Sequence, residues 1–418
     1  MQAIYLIITM IVTSLFWACD SCDPITPSPP IEEQDTIFEI VWATRMDFEK
    51  SIVGTDNTLH YDKWVLIGGD LDYPPTIMAF NKDTGDKDWE LILDELTGYE
   101  ITFMFLFENI LIARNSYYVF AVDLDTRELI WKENLKAKGM RLGRGVIAEN
   151  GKFYQTAVFN FDPLGGGVQH LYEFDPKTGE NRMIYSRAPD SIGTKTISPP
   201  TICEDVENNR KLLIFNLYPN AEIPPGKGDY QELVAIDLAT KAVIWNSRVT
   251  DNFASNSLHP PVIYKDLVIT GGDWHIYAFN VKTGEQVWTY EETNTNHLAI
   301  WGTTNHLIHN GMLYVNATGD NVTCLDAETG KLIWNNPKGG ANCTDNMVYY
   351  EKEDLLVFTS WGYGSVMVLD ALTGETLHRE HRFDDSSYNS DVVYDKERDM
   401  FFTSTYRHAV GFKVHKPK

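Results

Sequence analysis

Tyr277-Ala278-Phe279-Asn280-Val281-Lys282-Thr283-Gly284-Glu285-Gln286-Val287-Trp288 is one of seven copies of a single pattern. The others run through Ala79-Phe80-Asn81 to Trp89, Ala121-Val122-Asp123 to Trp131, and Glu173-Phe174-Asp175 to Tyr185. They continue with Ala235-Ile236-Asp237 to Trp245, Cys324-Leu325-Asp326 to Trp334, and Val368-Leu369-Asp370 to His378. Each copy is an apolar strand, an Asp or Asn, a short turn usually ending in Thr-Gly, and a second strand closing on an aromatic. The acid or amide can bond backbone amides two residues on. The glycine supplies the positive φ that a tight hairpin needs. The tryptophan is a large flat ring suited to the gap between neighbouring sheets. Arg127 and Lys241 stand at the glycine position in two copies, where the turn is expected to be strained or different.

The closing aromatics fall at 89, 131, 185, 245, 288, 334 and 378, intervals of 42 to 60 residues. A four-stranded propeller blade takes about 40–45 residues. Two intervals therefore carry insertions, which are placed near Asn160–His170 and Tyr218–Tyr230. The ends supply the missing blade. Phe38-Glu39-Ile40-Val41-Trp42 reads as a lone outer strand, and the segments at 391–394, 401–404 and 409–412 read as three strands without a fourth. Joining them closes the ring and leaves no exposed sheet edge. The expected fold is all-β, an eight-bladed β-propeller of four-stranded antiparallel blades, with the N-terminal strand completing the C-terminal blade.

These repeats resemble the PQQ-like β-propeller family, whose hallmark is Ala-x-Asp-x-x-Thr-Gly-x-x-x-Trp; the likeness covers about residues 36–414. The resemblance implies the fold, and two kinds of function. Quinoprotein dehydrogenases hold PQQ in the central funnel with an adjacent Cys-Cys disulfide, a tryptophan, a calcium ion and a catalytic Asp. BamB-like members are non-catalytic envelope scaffolds. This chain has no Cys-Cys pair, so no cofactor is expected, PQQ with calcium entering only under the enzyme alternative.

Composition narrows the setting. Apolar residues make up 43 % and charged residues 22 %, which suits a chain with a core. The net charge of −24 argues against a nucleic-acid partner, since phosphate binding needs a basic surface. Residues 1–18 carry no charged side chain, and Ile4 to Ala18 is a mostly apolar run of signal-peptide length. Ala18-Cys19 resembles a bacterial lipobox, which implies a lipidated Cys19. An ordinary secretion signal and a short membrane anchor are the alternatives. The expected organisation is a signal peptide over 1–18, a lipidated cysteine and flexible Pro/Ser/Asp tether over 19–35, and one propeller over 36–418. Cys203, Cys324 and Cys343 read as buried thiols, with a Cys324–Cys343 bridge as the alternative.

No metalloprotease, nucleophile-elbow or phosphate-loop motif is present, and Gly165-Gly166-Gly167 falls in a loop. In a four-stranded meander the Thr-Gly turns lie on one face. Loops between second and third strands share the opposite, funnel-side face with the blade-to-blade connections. Trp274, Trp361, Tyr363 and Tyr406 are assigned to those loops, and Trp301 and His306 to a connection. His259, Asn342, Asp345, Asn389 and Arg144 are expected to begin inner strands near the axis. Such a face suits a protein partner, or a glycan in the alternative. Trp42, Trp89, Trp131, Trp245, Trp288 and Trp334 are assigned to blade docking. The expectation is an envelope protein, lipid-anchored and monomeric, at the outer membrane.

Overall fold

Each tryptophan-closed strand ends a four-stranded antiparallel meander, and eight such sheets make a ring. The computed structural model describes residues 37–46, 58–69, 74–96, 101–147, 150–159, 167–189, 195–219, 230–249, 260–272, 275–291, 306–316, 321–340, 346–360, 363–381, 386–388 and 390–417. Ile37–Lys418 form one compact unit. Among the described residues there is no α-helix, only 3-10 turns at Asp94–Leu96 and Lys136–Lys138.

Blade 1 runs from Leu59 to Ile92, blade 2 from Phe103 to Asn134, and blade 3 from Met140 to Arg187. Blade 4 runs from Lys195 to Arg248, blade 5 from Val262 to Glu291, blade 6 from His306 to Asn336, and blade 7 from Val348 to Glu380. Blade 4 departs from the expected count, because its first strand is split into Lys195–Ile197 and Thr201–Asp205, both paired with Arg210–Pro219. Blade 8 joins Val393–Asp395, Met400–Ser404 and His408–Val414 to Phe38–Arg45. Phe38 pairs with Val414 and Arg45 with His408, so the ring closes as the sequence implies. The first strands of neighbouring blades approach one another, which makes them the inner wall.

The contact that joins blades is between an indole and the next blade's turn. A Cβ built on Gly85, Gly179, Gly284, Gly330 or Gly374 would lie 2.4–2.8 Å from ring atoms of Trp42, Trp131, Trp245, Trp288 and Trp334 respectively. All five glycines have φ between 70° and 77°. Four of these indoles also donate to a backbone oxygen in the same turn: Trp42 Nε1 to Lys82 O at 2.8 Å, Trp131 to Pro176 O at 2.8 Å, Trp245 to Val281 O at 2.9 Å and Trp334 to Ala371 O at 3.0 Å. Across its own sheet each tryptophan faces a small residue: Ala79, Ala121, Ala235, Ala278, Cys324 or Gly411. A bulge just before the aromatic swings the ring sideways. It turns Val41, Ile130, Val287 and Ile333 outward, all at least 40 % exposed.

Two turns use no glycine, yet the hairpin is unchanged. Arg127 and Lys241 adopt φ of 61° and 64°, and their amides bond Asp123 O and Asp237 O at 2.8 Å, as Gly85 bonds Asn81 O. The turns are the same rather than different. What changes is the partner. In blade 3 the bulge falls two residues later, so Tyr185 pairs with Leu171 and lies beyond the closing position. Glu173 stands where four of the other blades have alanine, bonded by Tyr154 at 3.0 Å and Arg182 at 2.9 Å. No indole reaches the Lys241 turn from this blade. At Arg127 the guanidinium lies 5.4 Å over the Trp89 ring, and the Trp89 Nε1 has no partner.

The closing seam between blades 8 and 1 holds a buried ion pair. Lys82 Nζ lies 2.7 Å from Asp395, both side chains at most 5 % exposed, with Arg398 bridging Asp395 and Asp83. Burial opposes ionisation of Asp395, but the hydrogen bond and charge of Lys82 outweigh it and hold the carboxyl below its usual range. The pair therefore stabilises the fold above about pH 4, and that contribution is lost as pH falls through the lowered value.

Two stability measurements follow. Gly330→Ala should cost about 2–4 kcal/mol in chemical denaturation, from the positive φ and the clash with Trp288; a loss under ~1 kcal/mol would mean the indole does not sit on the turn. Lys82→Met should cost about 3 kcal/mol at pH 7, the low end for a broken buried pair because Arg398 remains. That deficit should shrink as pH falls below 4; a pH-independent deficit would rule out the ion pair as its cause.

Candidate functional site

Counting from the turn Asp or Asn fixes a common depth in seven blades, and Gly411, opposite Trp42, fixes the same depth in blade 8. The residue two before the Asp or Asn, or Gly411 itself, faces a second-strand residue, and two positions beyond that lies a ring: Gly68, Arg114, Thr156, Asn216, Gly271, Asn316, Thr359 and Ser404. All eight are polar or glycine, and all are buried. An apolar core thus gives way at one level to a polar girdle, near the ends of the second strands where they enter the loop-side face. Burying such groups is costly unless they are bonded. Asn216 accepts from Gln231 at 3.0 Å and Thr270 at 3.1 Å, and Thr359 donates to Ser390 O at 2.9 Å. Neither amide atom of Asn316 has a partner, nor has the Ser404 hydroxyl.

Next to two adjacent girdle members, Arg114 and Thr156, lies a cavity of about 250 Å³. Its walls come from blades 2, 3 and 4, all at the loop-side ends of the two innermost strands. Thr102, Arg114 and Ser116 come from blade 2, Arg141, Leu142, Gly143 and Thr156 from blade 3, and Thr196, Ile197, Pro199 and Tyr218 from blade 4. Arg114 ends its strand 6 % exposed, with its guanidinium 4.6 Å over Phe103. Its carbonyl takes the Thr102 amide at 2.9 Å, which ties inner strand to second strand. The Nδ2 of fully buried Asn115, between lining residues Arg114 and Ser116, has no partner.

On the blade 3 wall, pairing of Met140–Ile147 shifts between Leu142 and Gly145. Gly143 is required there, since a Cβ would come within 2.2 Å of Thr156 Oγ1. A bulge of this kind re-aims side chains, and it lies beside Arg141. The described lining holds two arginines, four side-chain hydroxyls besides Tyr218, and no carboxylate.

Two broader depressions lie on the Thr-Gly face, near Asp205 in blade 4 and Asp399 in blade 8. Their acids are already satisfied. Asp399 accepts from Tyr350 at 2.7 Å, Tyr394 at 2.8 Å and Lys352 at 2.5 Å, which hold its pKa down to about 2 against the effect of burial. Asp205 accepts from Arg210 and Asn208, both at 2.8 Å.

Of the residues singled out from sequence, Arg144 lies in the blade 3 bulge, in mid-strand rather than at a strand start. His306 is the first residue of an inner strand, not part of a connection. Its Nε2 is buried without a partner, and burial lowers its pKa to about 4. Tyr363 lies in the loop after the second strand of blade 7, with the Arg379 guanidinium 3.6 Å over its ring. The insertion residues His170 and Tyr218 belong to strands. Cys19, His259, Trp274, Trp301, Asn342, Asp345, Trp361 and Asn389 lie outside the described residues, as does Cys343. Cys203 and Cys324 are buried free thiols. Sequence reasoning missed Arg114 and Arg141. For Arg114 the available signal was a charged residue at the depth where the other second strands carry glycine, threonine, asparagine or serine.

Repeat, ring and register together define an eight-bladed β-propeller whose repeat is similar to that of PQQ-like propellers. Residues 226–398 match the family described as outer membrane protein assembly factor BamB. An uncharacterized protein of Rickettsia prowazekii (strain Madrid E) is 26 % identical over 225 residues, 51 % of this chain and 47 % of that protein. The chain thus spans about half the length of the curated relatives it matches first. The outer membrane protein assembly factor BamB of Bordetella pertussis (strain Tohama I) is 28 % identical over 104 residues, 25 % of each chain. Among solved structures, BamB from Moraxella catarrhalis superposes with a TM-score of 0.54 at 16 % identity, over 76 % of this chain and 85 % of that one. Quinohemoprotein alcohol dehydrogenase from Comamonas testosteroni gives 0.65 at 12 %, over 91 % and 78 %. At such identities the structural likeness concerns fold alone.

Fold kinship to a quinoprotein raises the question of PQQ. The described lining of the cavity offers neither sulfur, indole nor carboxylate. That donor set does not fit a calcium-bound quinone stacked between a disulfide and a tryptophan.

The low pKa of His306 makes a pH prediction. Folded His306 resists protonation, so stability should fall by about 2 kcal/mol as pH drops from 6.5 to 4. In His306→Phe that part of the pH dependence should vanish; an unchanged profile would place the imidazole in water.

Proposed function

We propose that the protein is a non-catalytic, lipid-anchored component of the bacterial envelope that binds a protein partner through the loop-side face of its propeller. The observation that carries this reading is the contrast between the two faces. On the Thr-Gly face, turn acids are bonded to their own backbone, as Asp326 Oδ1 is by the amides of Glu328 at 3.1 Å and Thr329 at 2.8 Å. At the loop-side ends, buried polar atoms of Asn316, Asn321, His306 and Ser404 stand without partners, and the arginine-lined cavity sits there. The Trp89 and Trp288 indole nitrogens at the turns also lack partners, but these polar groups lie at the loop-side rim, where a complementary surface would satisfy them. The match to a family described by membrane protein assembly supports an envelope setting and a protein partner. Ala18-Cys19 supports the anchor.

A photo-crosslinking residue placed at Tyr363 or Tyr406, and separately at Glu328 on the opposite face, tests the assignment in intact cells. A discrete protein adduct at the first two positions and none at Glu328 is expected. Adducts at Glu328 alone, at both faces equally, or at neither would overturn it. Cys19→Ala should move the protein from the membrane to the soluble fraction; continued membrane retention would remove the lipid anchor from the reading.

A further inference from the structure

We infer that the cavity between the inner strands of blades 2, 3 and 4 is a binding site for the carboxylate of a small organic acid or of an acidic side chain. The chemistry of its wall selects that group. Arg114 and Arg141 reach it from adjacent blades, and guanidinium groups suit the planar, two-oxygen geometry of a carboxylate. Thr196 and Ser116 bring further hydroxyls to the same lining, while the Thr102 hydroxyl donates to Arg114 O at 3.2 Å and so belongs to the wall. In a chain of charge −24, these two guanidinium groups are the charged side chains of the described lining.

Size and apolar content narrow the ligand further. At about 30 Å³ per water, 250 Å³ has room for roughly eight waters, enough for a carboxylate with a short aliphatic stem. Leu142 and Ile197 supply a surface for that stem, which an inorganic anion would leave in contact with nothing. A polyanion is disfavoured by the charge of the whole protein. The wall is also built to hold its shape: the Arg114 carbonyl is tied to Thr102, and the bulge at Gly143 packs directly on Thr156. The site would exist whether or not the loop-side face meets a protein, so its failure and that of the proposed function are separable.

Calorimetric titration of the full-length protein, in detergent if it is lipidated, tests this with three probes: succinate, a short glutamate-containing peptide, and sulfate. Saturable binding of succinate or the peptide is expected, at least tenfold stronger than sulfate. A free acid is the ligand if succinate binds alone or more tightly, and an acidic segment if the peptide does. Arg141→Gln, at an exposed position, should weaken the preferred probe at least tenfold, whereas Arg407→Gln, exposed on the same face outside the cavity, should change it less than twofold. Arg114→Lys, which keeps the buried charge but not the fork, should weaken it by a similar factor while the protein still unfolds in one cooperative transition. No binding of either carboxylate at 10 mM, sulfate binding as strongly as succinate, or equal losses in Arg141→Gln and Arg407→Gln would overturn the inference.

Discussion

The ring depends on one contact: an indole lying flat on the glycine of the next blade's turn. A β-blade alone has two apolar faces and no reason to stop at a given angle to its neighbour. The indole supplies both adhesion and angle, because ring and turn meet at van der Waals distance and four of the rings are pinned by a hydrogen bond to the turn's backbone. Every other regularity serves this contact. The bulge aims the ring, the small residue across the sheet makes room for it, and the Asp or Asn freezes the turn that receives it.

The exceptions obey the same logic. Glycine stands in all five turns on which an indole rests directly. Where blade 3 offers Glu173 and a displaced Tyr185 instead, the following turn carries Lys241. Its ammonium approaches Glu173, so a charged pair stands where the ring and glycine would be. At Trp89 the arginine in the turn covers the indole from above, and the ring gives up its hydrogen bond. Side chain and turn residue thus vary together across a blade boundary, although they are some forty residues apart in sequence.

Most of the architecture was legible because the repeat writes its structure into short-range spacing. Asp, Thr-Gly and Trp lie within one hairpin, so their roles follow from local geometry. Tyr185 shows the limit: it is the nearest aromatic, yet it stands ten residues after Asp175 instead of eight, and the bulge moves with it. The girdle was illegible for a different reason. Its members sit on second strands, joined to the repeat by loops of unequal length, and only cross-strand pairing aligns Arg114 with Thr156 and Asn316. Arg144 was placed at a strand start because a bulge leaves no mark on hydrophobic alternation. A polar layer within an apolar ring is the kind of local inconsistency that marks function in a sequence otherwise consistent with its fold.

Blade 8 has a consequence for how the repeat relates to the fold. The His415 amide bonds Ile37 O at 2.9 Å, so the two ends of the ring meet where the other seven blades have the hairpin turn between third and fourth strands. The covalent repeat and the structural blade are therefore out of phase by one strand. A cut at any of the seven turns, with a short bridge from 416 to 37, would give a circular permutant with the same contacts and a different closing blade. The position of the break is a property of the polypeptide, whereas the eightfold arrangement belongs to the contacts between blades.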